Sequence, residues 1–417
     1  MTGPACLRST AASLLLAALA MMGCSASDDT VTVPRNRTLI MDCSDVEACG
    51  GQIQDYNAFN PFVPGASSRT GWNFSYEPLY YYNAFVEENN LISWIAKGHE
   101  YSEDHTSVTI HTRSDVKWSD GTPWTVRDLV FTIDMLKGAA PELLWSTDIA
   151  NWVKQTVVID DSTARIDLAA ANPRFLFTFF TNNFGIGIPI VPRHVWEGHD
   201  PLTFRNFNME KGWPILNGPY RLVHSVPQQR IWDRRDDWWA ATTGFHAPPE
   251  VERLIYLPFM DETKRVQNLI ANNMDTSLDL RPPNIKTALD QNPNITTWTG
   301  RQTPYGYLDF WPVSLGFNNL EPPYDDPEIR WAVNYAIDRD QLVEVGWQNA
   351  GTKTLLPFPD YPSMRRYTSQ IEDLVRDSDI GTFDLEKSAA ILREKGWVKQ
   401  GRFWSKNGER LRILVDI

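Results

Sequence analysis

Several residue types and motifs that carry chemistry are scarce or missing in this sequence. Only four cysteines occur among 417 residues, and none follows position 49, so a cysteine nucleophile in the main body is excluded. The seven histidines show no H-E-x-x-H spacing, and the sequence has neither a G-x-S-x-G nucleophile turn nor a Walker loop. No cluster of residues points to a metal. We therefore predict that the chain needs no cofactor and no metal.

Paired carboxylates are the remaining catalytic possibility, because glycosidases place two acids at the scissile bond. Asp236-Asp237 and Asp325-Asp326 are the candidate pairs. Asp326 precedes a proline and is better explained as a helix cap, and Asp236-Asp237 is better explained as a surface turn. A carbohydrate-active enzyme is kept only as the alternative to a protein without catalytic activity.

A long apolar run is missing as well. The uncharged segment from Ala11 to Gly23 is shorter than the roughly 20 apolar residues of a membrane-spanning helix, and Arg8 precedes it. This pattern predicts an export signal over residues 1–23. The small residues ahead of Cys24 resemble a lipoprotein cleavage box, in which the cysteine is acylated and becomes the new N-terminus. The alternative is a plain secretory signal that leaves Cys24 unmodified.

The cysteines that remain after Cys24 are Cys43 and Cys49. Export places them in an oxidising compartment, where we expect them to form a small local disulfide loop. A metal site is the alternative, but a C-x5-C pair without a nearby histidine is a weak zinc pattern.

Acidic residues outnumber basic ones. The sequence has 52 Asp and Glu against 39 Lys and Arg, and loss of Arg8 with the signal leaves 38 basic residues and a net charge of −14. Such a surface repels nucleic acid and anionic lipid, so we expect no nucleic-acid partner, and membrane association must come from a lipid anchor. The polar segment 25–38 is expected to be a tether.

Alternating and helical hydrophobic patterns predict an α/β fold. Val108 and Ile110 alternate with polar residues as in a half-buried strand, and a turn then leads into a helix. Thr125 and Asp128 form a capping-box pattern at the start of that helix, and Gly138 ends it. Further strands are predicted at 39–41, 157–159, 164–168, 254–257, 276–278 and in a hairpin over 403–417, with helices after Asp261, Asp326, Asp338 and Asp384.

Six segments occur in a recognisable order along the chain. The most specific runs from Val116 to Thr132 and combines Trp118, an Asp-Gly turn and the helix start at Asp128. The others are Tyr76-Glu77-Pro78-Leu79, Trp94-Ile95-Ala96, Asn217-Gly218-Pro219-Tyr220, Asp261-Glu262-Thr263 and the stretch from Phe317-Asn318 to Asp338-Arg339. Together they resemble landmarks of the bacterial extracellular solute-binding protein family 5, and Asp384 to Trp397 extends the resemblance.

This resemblance implies a receptor of an ABC importer with the two-lobe fold of periplasmic binding proteins (type II, cluster C-like). The implied division assigns residues 39–71 and 201–270 to lobe I, 72–200 to an extra α/β subdomain on lobe I, and 271–417 to lobe II. Lobe II would be incomplete, because family members continue beyond the position of Ile417. Hinge closure would capture the ligand without chemistry. The implied partners are a small solute, an ABC permease with its ATPase, and the membrane through the lipid anchor; we expect an exported monomer in the periplasm or on the outer cell surface.

Aromatic side chains provide the candidate ligand contacts, because ring faces stack on sugar rings and on apolar peptide side chains. The chain has 17 tryptophans. The candidates near the family's lobe-facing segments are Trp72, Tyr81, Tyr82, Asn83, Tyr307, Trp311 and Asn318. The run from Tyr80 to Phe85 is closer to the cello-oligosaccharide members and favours a sugar. A dipeptide or oligopeptide is the alternative, with Arg301 and Asp309 as possible partners of the peptide termini.

Overall fold

The computed structural model describes residues 32–65, 70–183, 187–310 and 312–413, so the predicted export signal and Cys24 lie outside the described residues. The strands are β1 (Thr38–Asp42), β2 (Tyr80–Tyr82), β3 (Leu91–Ser93), β4 (Ala96–Tyr101), β5 (Ser107–Thr112), β6 (Val153–Asp160), β7 (Thr163–Leu168), β8 (Thr181–Asn182), β9 (Tyr220–Val226), β10 (Gln229–Arg234), β11 (Arg253–Leu257), β12 (Val398–Gln400), β13 (Phe403–Lys406) and β14 (Glu409–Arg410). The helices are α1 (Val46–Cys49), α2 (Trp72–Ser75), α3 (Val126–Gly138), α4 (Ser146–Trp152), α5 (Phe175–Phe179), α6 (Arg193–Trp196), α7 (Trp239–Thr242), α8 (Glu262–Ile270), α9 (Pro282–Gln291), α10 (Pro327–Tyr335), α11 (Arg339–Gln341), α12 (Arg365–Thr368), α13 (Glu372–Asp377) and α14 (Leu385–Glu394). Over these four segments, none of the helices is both long and apolar enough to cross a bilayer.

The predicted helix starts are confirmed by their caps. Asp128 accepts a hydrogen bond from the Thr125 backbone N–H at 2.9 Å, and the Thr125 side chain accepts one from the Arg127 N–H at 3.3 Å, so the capping box is complete. Asp261, Asp326, Asp338 and Asp384 each accept a backbone N–H from the first turn of the helix that follows. These caps satisfy donors that the helix itself cannot pair.

The first mixed sheet has the strand order β1-β11-β10-β9. β1 and β11 are parallel, whereas β10 is antiparallel to both of its neighbours. The strand predicted at 276–278 is reduced to a single parallel bridge between Thr276 and Met41. The Leu278 carbonyl accepts from the Arg265 guanidinium at 2.7 Å, so a side chain takes the place of a strand partner.

Three further sheets complete the described fold. An antiparallel sheet has the order β4-β5-β7-β6, and a small sheet has the order β3-β2-β8. The hairpin predicted over 403–417 forms as β13 and β14, but it is shorter than predicted, and β12 adds a third strand that the sequence pattern did not indicate. Residues 414–417 lie outside the described residues.

The described residues form two main hydrophobic cores, besides a small apolar cluster around Cys43 and Cys49. The larger core is formed by buried residues from Phe59 to Tyr256 and packs the first sheet, the antiparallel sheet and α3 together. The smaller core packs α10 against α14 through Ile329, Ala332 and Leu392. Among the described residues, no buried side chain belongs to both cores. The residue boundaries assigned to the two lobes and to the subdomain stay a prediction.

Cys43 and Cys49 are bonded to each other in the structure, with sulfurs 1.97 Å apart. Both are buried, and together with Ala48 they form a small apolar cluster at the end of β1.

Replacing both cysteines by alanine is expected to lower the free energy of unfolding by about 2 kcal/mol, because the crosslink restricts a short loop in the unfolded chain. Urea titration with and without reductant measures this change. The wild-type protein should lose stability on reduction, whereas the variant should be insensitive to reductant. Equal stability of both proteins under oxidising conditions would contradict the prediction.

Candidate ligand-binding site

The predicted pair Tyr81 and Tyr82 lies on β2, where successive side chains point to opposite faces of the strand. The Tyr81 ring packs edge-on against Trp94, with ring centroids 5.0 Å apart. The Tyr82 ring packs in the same manner against Phe177. Both tyrosines are half-buried. The two rings therefore line different surfaces and do not form one wall.

A buried carboxylate lies directly before this strand. The Glu77 carboxylate accepts hydrogen bonds from the indole N–H groups of Trp238, at 3.1 Å, and Trp239, at 2.5 Å. The Glu77 backbone N–H donates to the Asn217 side-chain oxygen at 2.8 Å. Two of the sequence landmarks, 76–79 and 217–220, are thus brought into contact around one acidic group.

Burial dominates the electrostatics of Glu77. Its removal from water raises the pKa of the carboxyl from 4.5 to about 8, against the opposing hydrogen bonds from Trp239 and Trp238 and the charge of Arg235. Burial together with the nearby Glu77 charge also raises the pKa of Tyr81 above its usual range. The region beside β2 therefore holds an acid that changes charge close to neutral pH.

Trp72, another predicted ligand residue, belongs to the larger core. It begins α2, it is buried, and its ring centroid is 6.1 Å from that of Phe59. Its indole N–H has no hydrogen-bond partner among the described protein atoms. Its ligand role stays a prediction.

An exposed aromatic cluster joins two distant parts of the chain. Phe85 lies at its centre, with its ring centroid 5.3 Å from Tyr361 and 6.1 Å from both Tyr307 and Trp298. The Trp298 and Tyr307 centroids are 5.6 Å apart. Trp298 is 71% exposed and Tyr307 is 50% exposed, whereas Tyr361 is buried. The rings of Trp298 and Tyr307 are thus accessible to solvent, and the buried Tyr361 lies beneath Phe85.

Tyr361 is the buried member of this aromatic cluster. Its hydroxyl donates to the Leu308 carbonyl oxygen at 2.8 Å. Burial, together with the negative charge of Asp309, raises the pKa of Tyr361 to about 12. The phenol is therefore neutral at physiological pH, and it fixes the segment that carries Tyr307.

The polar candidates serve local turns. The Asn83 side-chain oxygen accepts from the Phe85 N–H at 3.0 Å, and that of Asn318 accepts from the Leu320 N–H at 3.1 Å. Arg301 donates to backbone carbonyl oxygens, including that of Ile295 at 2.5 Å, and its role as the partner of a peptide terminus stays a prediction. Trp311 lies outside the described residues.

Of the predicted residues, the structure connects Tyr307 with the run that contains Tyr81, Tyr82 and Asn83, and Phe85 makes the connection. Sequence reasoning did not select Phe85, Trp298 or Tyr361. Phe85 ends the Tyr80–Phe85 run, so its closeness to Tyr82 in the sequence could have marked it as a candidate. Trp298 and Tyr361 lie far apart in the sequence, and no local pattern marks them.

Residues 90–415 match the family model of the bacterial extracellular solute-binding proteins, family 5 Middle, which covers most of the chain. The chain belongs to this family. Solute-binding proteins of family 5 are transport receptors, so the enzyme alternative is set aside.

Curated relatives of this family 5 protein bind different solutes according to their names. It is 25% identical over 365 residues to the dipeptide-binding protein of Escherichia coli, a match that covers 82% of this chain and 62% of the relative. It is 24% identical to the nickel-binding periplasmic protein of the same organism, covering 86% of this chain and 63% of the relative. The chain thus spans less than two thirds of the length of these relatives.

Solved structures share the fold of this family 5 protein. A periplasmic oligopeptide-binding protein of Thermotoga maritima superimposes with a TM-score of 0.71 at 23% identity, over 90% of this chain and 65% of that one. The same protein with bound mannohexaose gives 0.67 at 25% identity, with the same coverage. An oligopeptide-binding protein of Bacillus subtilis in complex with a nonapeptide gives 0.61 at 18% identity, over 89% of this chain and 67% of that one. The two-lobe α/β fold is confirmed.

Proposed function

We propose that this chain is the solute-binding receptor of an ABC importer and that its solute is a peptide. The family match over residues 90–415 carries the proposal. The choice of a peptide is supported by the dipeptide-binding relative from Escherichia coli and by the nonapeptide complex of the Bacillus subtilis neighbour.

The proposed mechanism is capture by closure. The two cores provide two bodies that can move relative to each other, and a solute that contacts both bodies favours the closed arrangement through its higher affinity for that state. The closed form would then be recognised by a permease with its ATPase. Export and acylation of Cys24 would hold this monomeric receptor at the membrane.

An oligosaccharide is the second candidate. The accessible rings of Trp298 and Tyr307 favour it, because aromatic faces stack on sugar rings, and one structural neighbour holds mannohexaose. The same two rings can also contact apolar peptide side chains, so they take part in either proposal.

Calorimetry of the full chain tests these proposals against dipeptides, a nonapeptide and mannohexaose. We expect saturable binding of a peptide, with no product formed, and a dissociation constant that rises about tenfold in Trp298→Ala through loss of a stacking ring. Trp347→Ala is the matched control, since Trp347 is also exposed and the ring contacts of the cluster, as far as the structure describes the chain, do not include it. Product formation would overturn the receptor proposal. Binding of mannohexaose without binding of either peptide would show that the solute is a sugar and not a peptide.

A further inference from the structure

The loop between β2 and β3, residues 83–90, is held in a defined shape. The Asn83 backbone N–H donates to the Asn90 carbonyl oxygen at 2.8 Å and closes the base of the loop. The Asn83 side chain accepts the Phe85 N–H and forms an Asx turn, which directs the chain at Phe85. The loop therefore presents its side chains from a fixed base on the small sheet.

Three contacts of different kinds connect this loop to the part of the chain after residue 290. Phe85 packs on the rings of Tyr361, Tyr307 and Trp298. The Ser363 backbone N–H donates to the Ala84 carbonyl oxygen at 3.3 Å. The Arg365 guanidinium pairs with the Glu87 carboxylate at 3.0 Å.

The receiving segment is itself well anchored. Tyr361 is buried and bonded to Leu308, and the short 3-10 turn Pro362–Met364 leads directly into α12, which begins at Arg365. Ring packing, a backbone hydrogen bond and an ion pair therefore join a loop that follows Tyr80 of the larger core to residues that flank α10 of the smaller core in the sequence, although they belong to neither core themselves.

We infer that loop 83–90, together with Tyr361, Ser363 and Arg365, is a clasp that holds the two bodies of the receptor together, with Phe85 as its positioning residue. This inference rests on the proposed function, because it assigns to the clasp a share of the free energy of closure. A contact made only in the closed form raises the closed population before any solute binds. The apparent affinity for solute follows that population.

Amide hydrogen exchange of the full chain without solute tests the clasp directly. The Ser363 amide bonds across the contact, so its exchange reports opening. We expect Phe85→Ala to raise the exchange rate at Ser363 about tenfold while strand β5 in the larger core is unchanged. Glu87→Arg and Arg365→Glu should each raise it about threefold, and the double variant should restore it. Glu88→Arg is the matched control, since the described residues offer Glu88 no ion-pair partner.

Calorimetry with the nonapeptide and with mannohexaose completes the test. The inference predicts that the dissociation constant of whichever probe binds rises about tenfold in Phe85→Ala. Unchanged exchange at Ser363, or an equal effect of Glu88→Arg, would overturn the clasp. Faster exchange with an unchanged dissociation constant would overturn its link to solute affinity. If the wild-type chain binds neither probe while exchange responds as expected, the clasp is supported and the proposed function is the part that fails.

Discussion

Replacing Arg230 by alanine is expected to lower the free energy of unfolding by about 3–5 kcal/mol, because this substitution removes the fully buried partner of an ion pair whose aspartate, Asp55, is itself mostly buried. Arg230 has no exposed surface. Its guanidinium donates to the Asp55 carbonyl oxygen at 2.8 Å and to the Asp55 carboxylate at 3.2 Å. It also donates to the Ser225 hydroxyl at 3.2 Å and to the Thr70 hydroxyl.

The size of this effect comes from what remains after the substitution. The Asp55 carboxylate would keep its charge in a site with little access to water, and the Arg230 volume would become a cavity beside Phe59, over whose ring the guanidinium lies at 4.4 Å. Urea unfolding followed by tryptophan fluorescence measures the loss.

Arg127→Ala provides the matched control for Arg230. Arg127 also pairs with an aspartate, Asp161, at 3.1 Å, but both side chains are exposed. We expect a loss of less than about 1 kcal/mol there, since water screens the pair. A comparable loss in both variants would show that burial does not set the contribution of Arg230.

Through Glu77 alone, the free energy of unfolding is expected to fall by up to about 5 kcal/mol as the pH rises from 4.5 to 8. The folded-state pKa is about 8 and the ordinary value is 4.5, so the folded protein keeps a proton that the unfolded chain has lost in this range. The contribution is fully present below pH 4.5 and is lost as the pH passes through 8.

Glu77→Gln isolates this contribution, because glutamine keeps the shape and has no titrating proton. The amide can accept an indole N–H through its oxygen, but its NH₂ group would face the other indole donor. We therefore expect the variant to be less stable than the wild type at pH 5, and the difference to shrink or reverse by pH 9. Urea midpoints of both proteins across this range give the difference directly. A difference that is independent of pH would show that the Glu77 pKa is close to its ordinary value in the folded protein.

Local features were predictable from the sequence because their partners lie within a few residues. The cap of α3 needs Thr125 and Asp128, and the cap of α14 needs only Asp384 and the N–H three residues later. The disulfide joins residues six apart. The strand predicted at 276–278 is not formed, and the Leu278 carbonyl oxygen accepts a hydrogen bond from the Arg265 side chain of α8, a partner that the local sequence pattern does not contain.

The candidate site was predicted in part. Tyr307 and the residues Tyr81, Tyr82 and Asn83 are predicted ligand contacts, and the structure connects the segments that carry them through Phe85. The side chains of Tyr81 and Tyr82 lie on opposite faces of the small sheet, in which β2 is the strand between β3 and β8. Trp298 and Tyr361 acquire their positions from packing that joins residues more than 200 positions away from Phe85.

The sequence by itself determined the family, the α/β pattern, the helix starts and the disulfide partners, because each depends on residue types at fixed short spacings. Tertiary structure alone decided that Glu77 is buried beneath two indoles, that Arg230 has no exposed surface, and that Phe85 reaches Tyr361. Burial and long-range contact are properties of the packed chain, and they set the pKa of an acid and the strength of an ion pair, which no spacing in the sequence encodes.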